Sequence, residues 1–246
     1  MDEGHTIVES VDQWWTGGVA VPAYAGPVIF HGSLGNAALV EKRGDIRPGA
    51  YCPVPAFHCT AWYPLTQTCL LHKRWRATTA AELVANPSEI AKSIACEDRI
   101  FVRPDSPLKP FSGRVLNVDQ ISLRSLDHGF YYEDENLPII VAPVVDVVKE
   151  WRFVIVDQVV VAGCRYDADS RFGTIEKVDP MVRQFAEETA DLLPPPSSVY
   201  VLDVCESDGQ HHLIELNPFG GADLYTCDAD AIVRAISQFA SKEDQQ

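Results

Sequence analysis

The sequence predicts an α+β protein with a smaller N-terminal α/β region over residues 1–95 and a body of antiparallel sheets with packed helices over 96–246. Two observations lead to this prediction. From residue 99 onward, short runs rich in β-branched residues follow one another with turn residues between them, as in antiparallel hairpins. The last segment, 229–241, instead has apolar residues at helical spacing, at Ile232, Val233, Ile236 and Phe239.

Composition limits the classes of partner. The chain has 246 residues, of which 46% are hydrophobic and 22% charged, as in an ordinary globular protein with a sizeable core. A formal net charge of −15 repels phosphate backbones, so we expect no nucleic-acid partner. The densest basic run, 72–76, is short, and we interpret it as the solvated start of a helix. Because the chain is acidic, an anionic ligand such as a nucleotide would need a metal ion and a few Lys or Arg side chains close to its binding site.

Cysteine usage and the apolar runs suggest a compartment. The seven cysteines are widely spaced and include no C-x-x-C pair, so a zinc site is not favoured and buried thiols are expected. Such thiols are typical of a reducing compartment. The N-terminus is acidic, unlike a signal peptide, and the longest apolar stretch, 137–148, is broken by two prolines and an aspartate. We therefore expect a cytoplasmic protein without a membrane partner.

The predicted elements follow in chain order. The N-terminal region should contain a short helix and a turn within 1–20, a strand at 28–30, a short helix at 36–41, and a proline-rich irregular stretch at 44–70. Thr79 and Glu82 form a capping-box pattern for a helix over 78–85, and a helix over 87–94 follows. The body should contain a helix at 179–193 and strands at 99–103, 113–118, 138–144, 150–156, 159–166, 199–205 and 212–217.

The most informative segment is a hairpin with carboxylates. Asp208 and Gly209 lie between two apolar runs, which is a hairpin signal. Strand side chains alternate between faces, so Glu215 and Asn217 share one face. A two-residue turn would place Asp203 on the other face, whereas a loop of three or five residues would bring it to the same one. We therefore predict the longer loop, with two carboxylates and an amide oxygen converging as ligands suited to Mg²⁺. The alternative is an edge hairpin whose polar residues face water.

These residues resemble the ATP-grasp superfamily. Asp203 and the run Glu215-Leu-Asn-Pro218 look like its metal signature, an acidic residue on one strand and Glu-x-Asn on the next. Residues 101–115 look like its strand and phosphate-covering loop, and 149–156 look like the strand after its adenine hinge. More narrowly, Arg103, Lys109 and the segment 30–33 resemble a short clade of bacterial and phage proteins that is named for one arginine and two lysines.

The resemblance implies an ATP-grasp fold and an ATP-dependent ligase. A carboxylate substrate would be phosphorylated by ATP, and an amine acceptor would attack the acyl-phosphate and form a peptide-type bond. ATP and Mg²⁺ would be the cofactors, with Asp203, Glu215 and Asn217 as metal ligands. The catalytic residues would be Arg103, Lys109 and Arg152. The implied nucleotide-binding residues are Arg103, Lys109, Ala142, Pro143, Val144, Asp146, Lys149 and Arg152.

Several alternatives remain open at this stage. Many superfamily members have lysine where Arg103 stands, and the phosphate loop has few glycines here, so this chain departs from the superfamily pattern at the phosphate contacts. A turn at 157–158 would pair Arg152 with Gly163 and Glu150 with Arg165, so Arg152 would contact either a phosphate or an ion network. Asp146 would bind ribose or only face water. The alternatives to a ligase are a phosphotransferase that uses the same Mg·ATP site and a non-catalytic nucleotide-binding protein. The acceptor is a free amino acid, a peptide or a protein, and an open site favours the latter two.

Overall fold

The computed structural model describes residues 8–9, 11, 13–14, 23–24, 26–126, 134, 136–167, 172–174 and 178–243. The short helix and turn predicted within 1–20 lie mostly outside this part of the chain. Two compact units are present: unit 1 comprises 1–53, 148–206 and 215–246, and unit 2 comprises 54–147 and 207–214. The predicted division between residues 95 and 96 stays a prediction.

Seven helices lie in the described part of the chain. They are α1 (Leu34–Arg43), α2 (Cys59–Trp62), α3 (Ala80–Ala85), α4 (Pro87–Ser93), α5 (Leu123–Leu126), α6 (Pro180–Leu192) and α7 (Ala229–Glu243). Short 3-10 turns occur at Val54–Phe57, Tyr63–Leu65, Val118–Gln120 and Phe219–Gly221. None of the helices in the described ranges has the length and apolar character needed to cross a bilayer.

The strands of the described residues belong to three sheets. They are β1 (Val28–Ile29), β2 (Pro48–Gly49), β3 (Arg76–Thr79), β4 (Arg99–Pro104), β5 (Arg114–Asn117), β6 (Pro138–Pro143), β7 (Lys149–Val156), β8 (Val159–Asp167), β9 (Phe172–Thr174), β10 (Val199–Ser207) and β11 (Gln210–Pro218). A small parallel pair joins β1 and β2, a five-stranded sheet has the order β11-β10-β7-β8-β9, and a four-stranded sheet has the order β3-β6-β4-β5.

In unit 1, one face of the five-stranded sheet carries an apolar core. Val154 on β7 and Val201 on β10 lie in one cluster with Ile232 and Ile236 of α7. The helical spacing of the two isoleucines places both on the buried face of α7, as predicted. Proceeding along β7 toward its start, the same face changes from Val154 to Arg152 and Glu150, because alternate strand residues share a face. The apolar core therefore ends where the charged residues begin.

In unit 2, the four-stranded antiparallel sheet packs one face against short helices. Ile100 and Val102 on β4 and Val141 on β6 share a core cluster with Leu83 of α3 and Ile90 of α4. The Thr79 hydroxyl accepts a hydrogen bond from the Glu82 amide at 3.2 Å, which confirms the predicted N-cap of α3. Residues 101 and 103 alternate with this core, so they point to the opposite face of the sheet.

The predicted helix start at 72–76 is wrong. Arg76 opens strand β3, which pairs with β6, and His72 is only 7% exposed. The charges of this run favour a solvated helix, whereas pairing with β6 and burial of the imidazole determine its structure. Most other element boundaries agree with the predicted ones to within one to three residues, although the short strands β2, β3 and β9 and the short helices α2 and α5 were not predicted.

Candidate active site

The turn between β10 and β11 is shorter than predicted. Only Asp208 and Gly209 connect the strands, and both have positive φ, at 50° and 70°, as a two-residue type I′ turn requires. The predicted loop of three or five residues is therefore wrong. Aspartate and glycine tolerate this backbone conformation better than other residues, which explains why the tight turn forms here.

The three polar side chains of the hairpin nevertheless meet. The Asn217 Nδ2 donates to Asp203 Oδ2 at 3.0 Å and to Glu215 Oε2 at 3.1 Å. A regular ladder from a two-residue turn would put Asp203 and Asn217 on opposite faces. The hydrogen bond between them therefore requires the strand pairing to shift by one residue between the turn and these side chains, as a β-bulge does. The expected convergence is present, but an irregularity within the strands produces it.

Arg152 is paired with Asp203 in a buried ion pair. Arg152 Nε and Nη2 donate to the two Asp203 carboxylate oxygens at 2.8 and 2.7 Å, and Nη1 donates to the Asp223 carbonyl at 2.6 Å. The two residues are 6% and 1% exposed and stand opposite each other on β7 and β10. Burial by itself opposes the charge on Arg152, but the facing Asp203 carboxylate raises the pKa of the guanidinium above its ordinary value. Arg152 is therefore a fixed cation.

Two tyrosines lie beside this guanidinium. The Tyr166 and Tyr225 rings are stacked with centroids 4.7 Å apart, and the Arg152 Cζ lies 5.4 and 4.8 Å from their centroids. The Tyr166 hydroxyl donates to Glu150 Oε2 at 2.5 Å. Burial raises the pKa of Glu150, the hydrogen bond from Tyr166 opposes this, and the charges of Asp203 and Glu215 add to the increase. Neither tyrosine was identified from the sequence, and Tyr225 follows β11 in a loop without a recognisable motif.

The predicted pairing of β7 with β8 is wrong by one residue. The turn at Asp157 and Gln158 is present, but a register shift between Val154 and Ile155 pairs Arg152 with Cys164 and Glu150 with Tyr166. Gly163 instead faces Phe153, where an added Cβ would lie 2.5 Å from the Phe153 ring. The considered network of Arg152, Glu150 and Arg165 does not form, because Arg165 stands opposite Trp151 on the other face.

The hairpin residues carry the kind of oxygen atoms that bind a divalent cation. Two carboxylates bonded to one amide nitrogen, with the amide oxygen of Asn217 close by, form the hard oxygen set that Mg²⁺ prefers. An ionised carboxylate has about four acceptor positions, so Asp203 keeps acceptor capacity beyond its bonds to Arg152 and Asn217. Among the described residues, no group of three or more His, Cys, Asp or Glu side chains has metal-binding spacing, so the amide is needed to complete the set.

The proposed phosphate-binding residues lie in unit 2. Arg103 is buried on β4, and Lys109 is exposed in the following loop with a positive φ of 49°. Gly113 lies beside Arg103: a Cβ added there would lie 2.8 Å from the Phe101 ring and 3.6 Å from the Arg103 Cβ. This glycine therefore lets the loop approach β4 closely, and a larger residue would push the loop away.

The other nucleotide-binding candidates have different environments. Ala142 is buried and Pro143 half-buried at the end of β6, Val144 follows in the next segment, and Asp146 is exposed. In unit 1, Lys149 Nζ lies 3.2 Å from Glu206 Oε2, and both side chains are partly exposed. A partly exposed pair of this kind contributes little to stability, so Lys149 can exchange Glu206 for another anion at small cost.

His72 is a buried residue that the sequence interpretation missed. Its ring stacks on Phe101 with centroids 4.9 Å apart and donates to the Pro143 carbonyl, while its Nδ1 is buried without a hydrogen-bond partner in the described part of the chain. Burial and then the nearby charge of Arg103 lower the pKa of His72 from 6.5 to about 4. The neutral imidazole thus links β4 to the end of β6.

This low pKa predicts an acid-sensitive step in stability. Below pH 6.5 the His72 side chain binds a proton in the unfolded chain, whereas in the native protein it stays neutral down to about pH 4. The free energy of unfolding therefore decreases as the pH falls from 6.5 through about 4. The full effect is about 3 kcal/mol. In His72→Gln, which cannot take up this proton, denaturant unfolding between pH 7 and 4 should show a decline smaller by that amount. A decline as steep as in the wild type would contradict the assignment, and His211→Gln is the control.

Comparison with known proteins gives a family match over most of the chain. The family model for the ATP-grasp domain, family 3 of the clade named for one arginine and two lysines, matches residues 12–236. No curated protein matches the chain. The solved structures with a similar fold include D-alanine–D-alanine ligase from Bacillus anthracis, with 13% identity, a TM-score of 0.55, and coverage of 80% of this chain and 70% of the other.

A second similar structure is the ATP-grasp ligase PsnB complexed with precursor peptide PsnA2 and AMPPNP. It has 15% identity, a TM-score of 0.51, and coverage of 85% of this chain and 67% of PsnB. At such identities these structures support the fold alone. Because the family model spans most of the chain, we conclude that this protein belongs to the ATP-grasp domain family, in family 3 of the clade named for one arginine and two lysines.

Proposed function

We propose that this protein is an ATP- and Mg²⁺-dependent carboxylate–amine ligase that forms a peptide-type bond through an acyl-phosphate. The observation that carries the proposal is the cluster in unit 1, where Asn217 bonds to Asp203 and Glu215 and where Arg152 is held as a buried cation beside them. Oxygen ligands for a metal ion, next to a fixed guanidinium, are suited to stabilise the negative charge of a phosphoryl group during its transfer. Membership of a family of ATP-grasp ligases supports the same reaction class.

Asp203, Glu215 and Asn217 would hold the metal. A bound Mg²⁺ would offset the charge on the nucleotide phosphates and orient them. Asn217 aligns the two carboxylates through its amide hydrogens, so its role includes positioning as well as ligation. Asp203 would be shared between Arg152 and the metal, and its ion pair with Arg152 keeps the net charge of these two side chains close to zero.

Arg152 would donate hydrogen bonds to the phosphoryl group during its transfer. Guanidinium has five N–H donors, and the bonds to Asp203 and Asp223 engage three of them. The remaining donors are available for oxygens of the γ-phosphate or of the acyl-phosphate. Since the guanidinium is already fixed by Asp203 and two tyrosines, it would need little reorganisation during the reaction.

The nucleotide would be held by residues with separate tasks. Arg103 and Lys109 would bind the phosphates, with Arg103 replacing the more common lysine and offering two parallel donors. The backbone of Ala142, Pro143 and Val144 would bind the adenine, Asp146 the ribose hydroxyls, and Lys149 a phosphate or the base. The substrate carboxylate would attack the γ-phosphorus, releasing ADP. The amine would then attack the acyl carbon, releasing phosphate and leaving an amide.

The acceptor class that we favour is a peptide or a protein. The similar structure of PsnB was solved with a precursor peptide and AMPPNP, and this supports a polypeptide substrate without identifying one.

Trapping with hydroxylamine distinguishes ligation from phosphotransfer. The protein is incubated with Mg·ATP, hydroxylamine and pools of peptides that contain free carboxylates, and the products are separated by mass spectrometry. Ligation through an acyl-phosphate should yield ADP, phosphate and a peptide hydroxamate in equal amounts, and omission of ATP should abolish all three. Formation of a stable phosphopeptide with ADP, and no hydroxamate, would contradict the ligase proposal and favour a phosphotransferase.

A further inference from the structure

Two cysteine thiols touch beside the Arg152 site, and the proposed ligase chemistry does not use them. The Cys227 Sγ donates to the Cys164 Sγ at 3.3 Å, although the two residues are 63 positions apart in sequence. Both belong to unit 1 and to its apolar core cluster. A disulfide needs the sulfurs at about 2.05 Å, so an approach of a little over 1 Å would join them.

The two thiols connect the site to a surface segment. Cys164 stands opposite Arg152 on β8, and Cys227 ends the segment 222–227 that follows β11. This segment supplies both the Asp223 carbonyl that accepts from Arg152 and the Tyr225 ring that packs on it. A covalent bond between Cys164 and Cys227 would therefore tie the segment to the strand next to Arg152.

The sulfur–sulfur contact is what sets this pair apart. The Sγ atoms of Cys59, Cys69 and Cys96 lie against backbone carbonyls, and those of Cys164 and Cys227 do so as well, but the latter two are also bonded to each other. Cys164 and Cys227 are 3% and 8% exposed, but Asp223, Thr226 and Asp228 around Cys227 are exposed, so a local opening of this short segment would bring both thiols into contact with solvent. The hydrogen bond from Cys227 lowers the pKa of Cys164, which favours the thiolate that attacks a disulfide.

We propose that Cys164 and Cys227 form a modification site, at which a small-molecule disulfide converts the two thiols to an intrachain disulfide that locks the segment 222–227 against β8. The Cys164 thiolate attacks the small disulfide and releases one thiol. Cys227 then attacks the sulfur of Cys164 in the mixed disulfide and releases the second thiol. Two protein thiols and one small disulfide thus become one protein disulfide and two small thiols. This inference does not depend on the ligase proposal.

The test uses the full chain with 2-hydroxyethyl disulfide as the oxidant. Peptide mapping without reduction should show a single linked pair, Cys164 with Cys227. The unfolding temperature of the oxidised protein should rise by about 10 °C, because a cross-link that closes a long loop restricts the unfolded chain. Dithiothreitol should reverse both changes. Cys164→Ser and Cys227→Ala should each abolish the rise, whereas the control Cys96→Ser should keep it.

The possible outcomes are distinct. No linked peptide, or a link between other cysteines in the wild type, would overturn the proposal. A linked pair with an unchanged unfolding temperature would mean that the disulfide strains the native segment by as much as it restricts the unfolded chain, which would contradict a cross-link that fits this site. Failure of the ligase proposal would instead appear as an absence of hydroxamate from the reduced protein, so the two ideas fail separately.

Discussion

Removal of the Asp203 carboxylate should be among the most destabilising single changes in unit 1. In Asp203→Ala, the Arg152 guanidinium loses both charge-assisted hydrogen bonds while it remains buried under Tyr166 and Tyr225. Breaking a buried pair in this way costs about 3–5 kcal/mol. For a chain of this size, the unfolding temperature should fall by roughly 10 °C, which differential scanning calorimetry measures directly.

The matched control removes both charges. In the double variant Asp203→Leu with Arg152→Met, no buried charge is left unpaired, and stability should return to within about 1–2 kcal/mol of the wild type. This recovery separates the effect of an orphaned cation from a packing defect. If Asp203→Ala unfolded at the wild-type temperature, the buried pair would not exist in solution.

Replacement of Glu215 should affect turnover far more than stability. Glu215 is half-buried, and Glu215→Gln keeps the size of the side chain and an acceptor oxygen for Asn217. It removes one of the two proposed anionic metal ligands, so nucleotide turnover should fall at least about 100-fold, since loss of even an outer partner of a metal site costs roughly 10–100-fold. The unfolding free energy should change by less than about 1 kcal/mol. Steady-state ADP release and urea unfolding measure the two quantities.

Glu206→Gln is the control for this prediction. Glu206 lies on the same hairpin, but it pairs with Lys149 and is partly exposed, so its loss should change turnover less than about threefold. If Glu215→Gln and Glu206→Gln reduced turnover equally, the effect would come from net charge and not from metal ligation.

The elements with a strong local pattern were predictable. The period of α7, the cap of α3 and the alternation along β7 and β10 each follow from local residue preferences, and tertiary packing does not override them. The convergence of Asp203, Glu215 and Asn217 was also predicted, although from a loop of the wrong length. The residues that the sequence pattern marked as ligands are thus in contact.

Register was the part that sequence did not reveal. The shift between Val154 and Ile155 moves by one residue every pair of β7 and β8 that lies farther from the connecting turn. No residue type in this segment signals a bulge. The shift explains why Arg152 faces Cys164 instead of Gly163, whereas its contact with Asp203 follows from the separate pairing of β7 with β10. The turn at Asp208 was likewise assigned the wrong length, because a longer loop was expected to be needed to bring Asp203 to Asn217, and the chain makes that contact with a two-residue turn.

Buried partners from distant segments were also not predictable. The stacking of His72 on Phe101 and of Tyr225 on Arg152 brings together residues without a shared local motif. A basic run such as 72–76 is usually solvated, and nothing in the run indicates that His72 is buried or that Arg76 begins a strand paired with β6.

ATP should bind this chain through a metal held at Asp203, Glu215 and Asn217, and the proposed function depends on that binding. Thermal unfolding of the wild type with ATP, in excess Mg²⁺ and in excess EDTA, tests it most directly. At about 100 times its Kd, Mg·ATP should add about 2.7 kcal/mol and raise the unfolding temperature by roughly 5–10 °C, with little rise in EDTA. No rise in Mg²⁺, or an equal rise in EDTA, would contradict metal-dependent binding at these three residues.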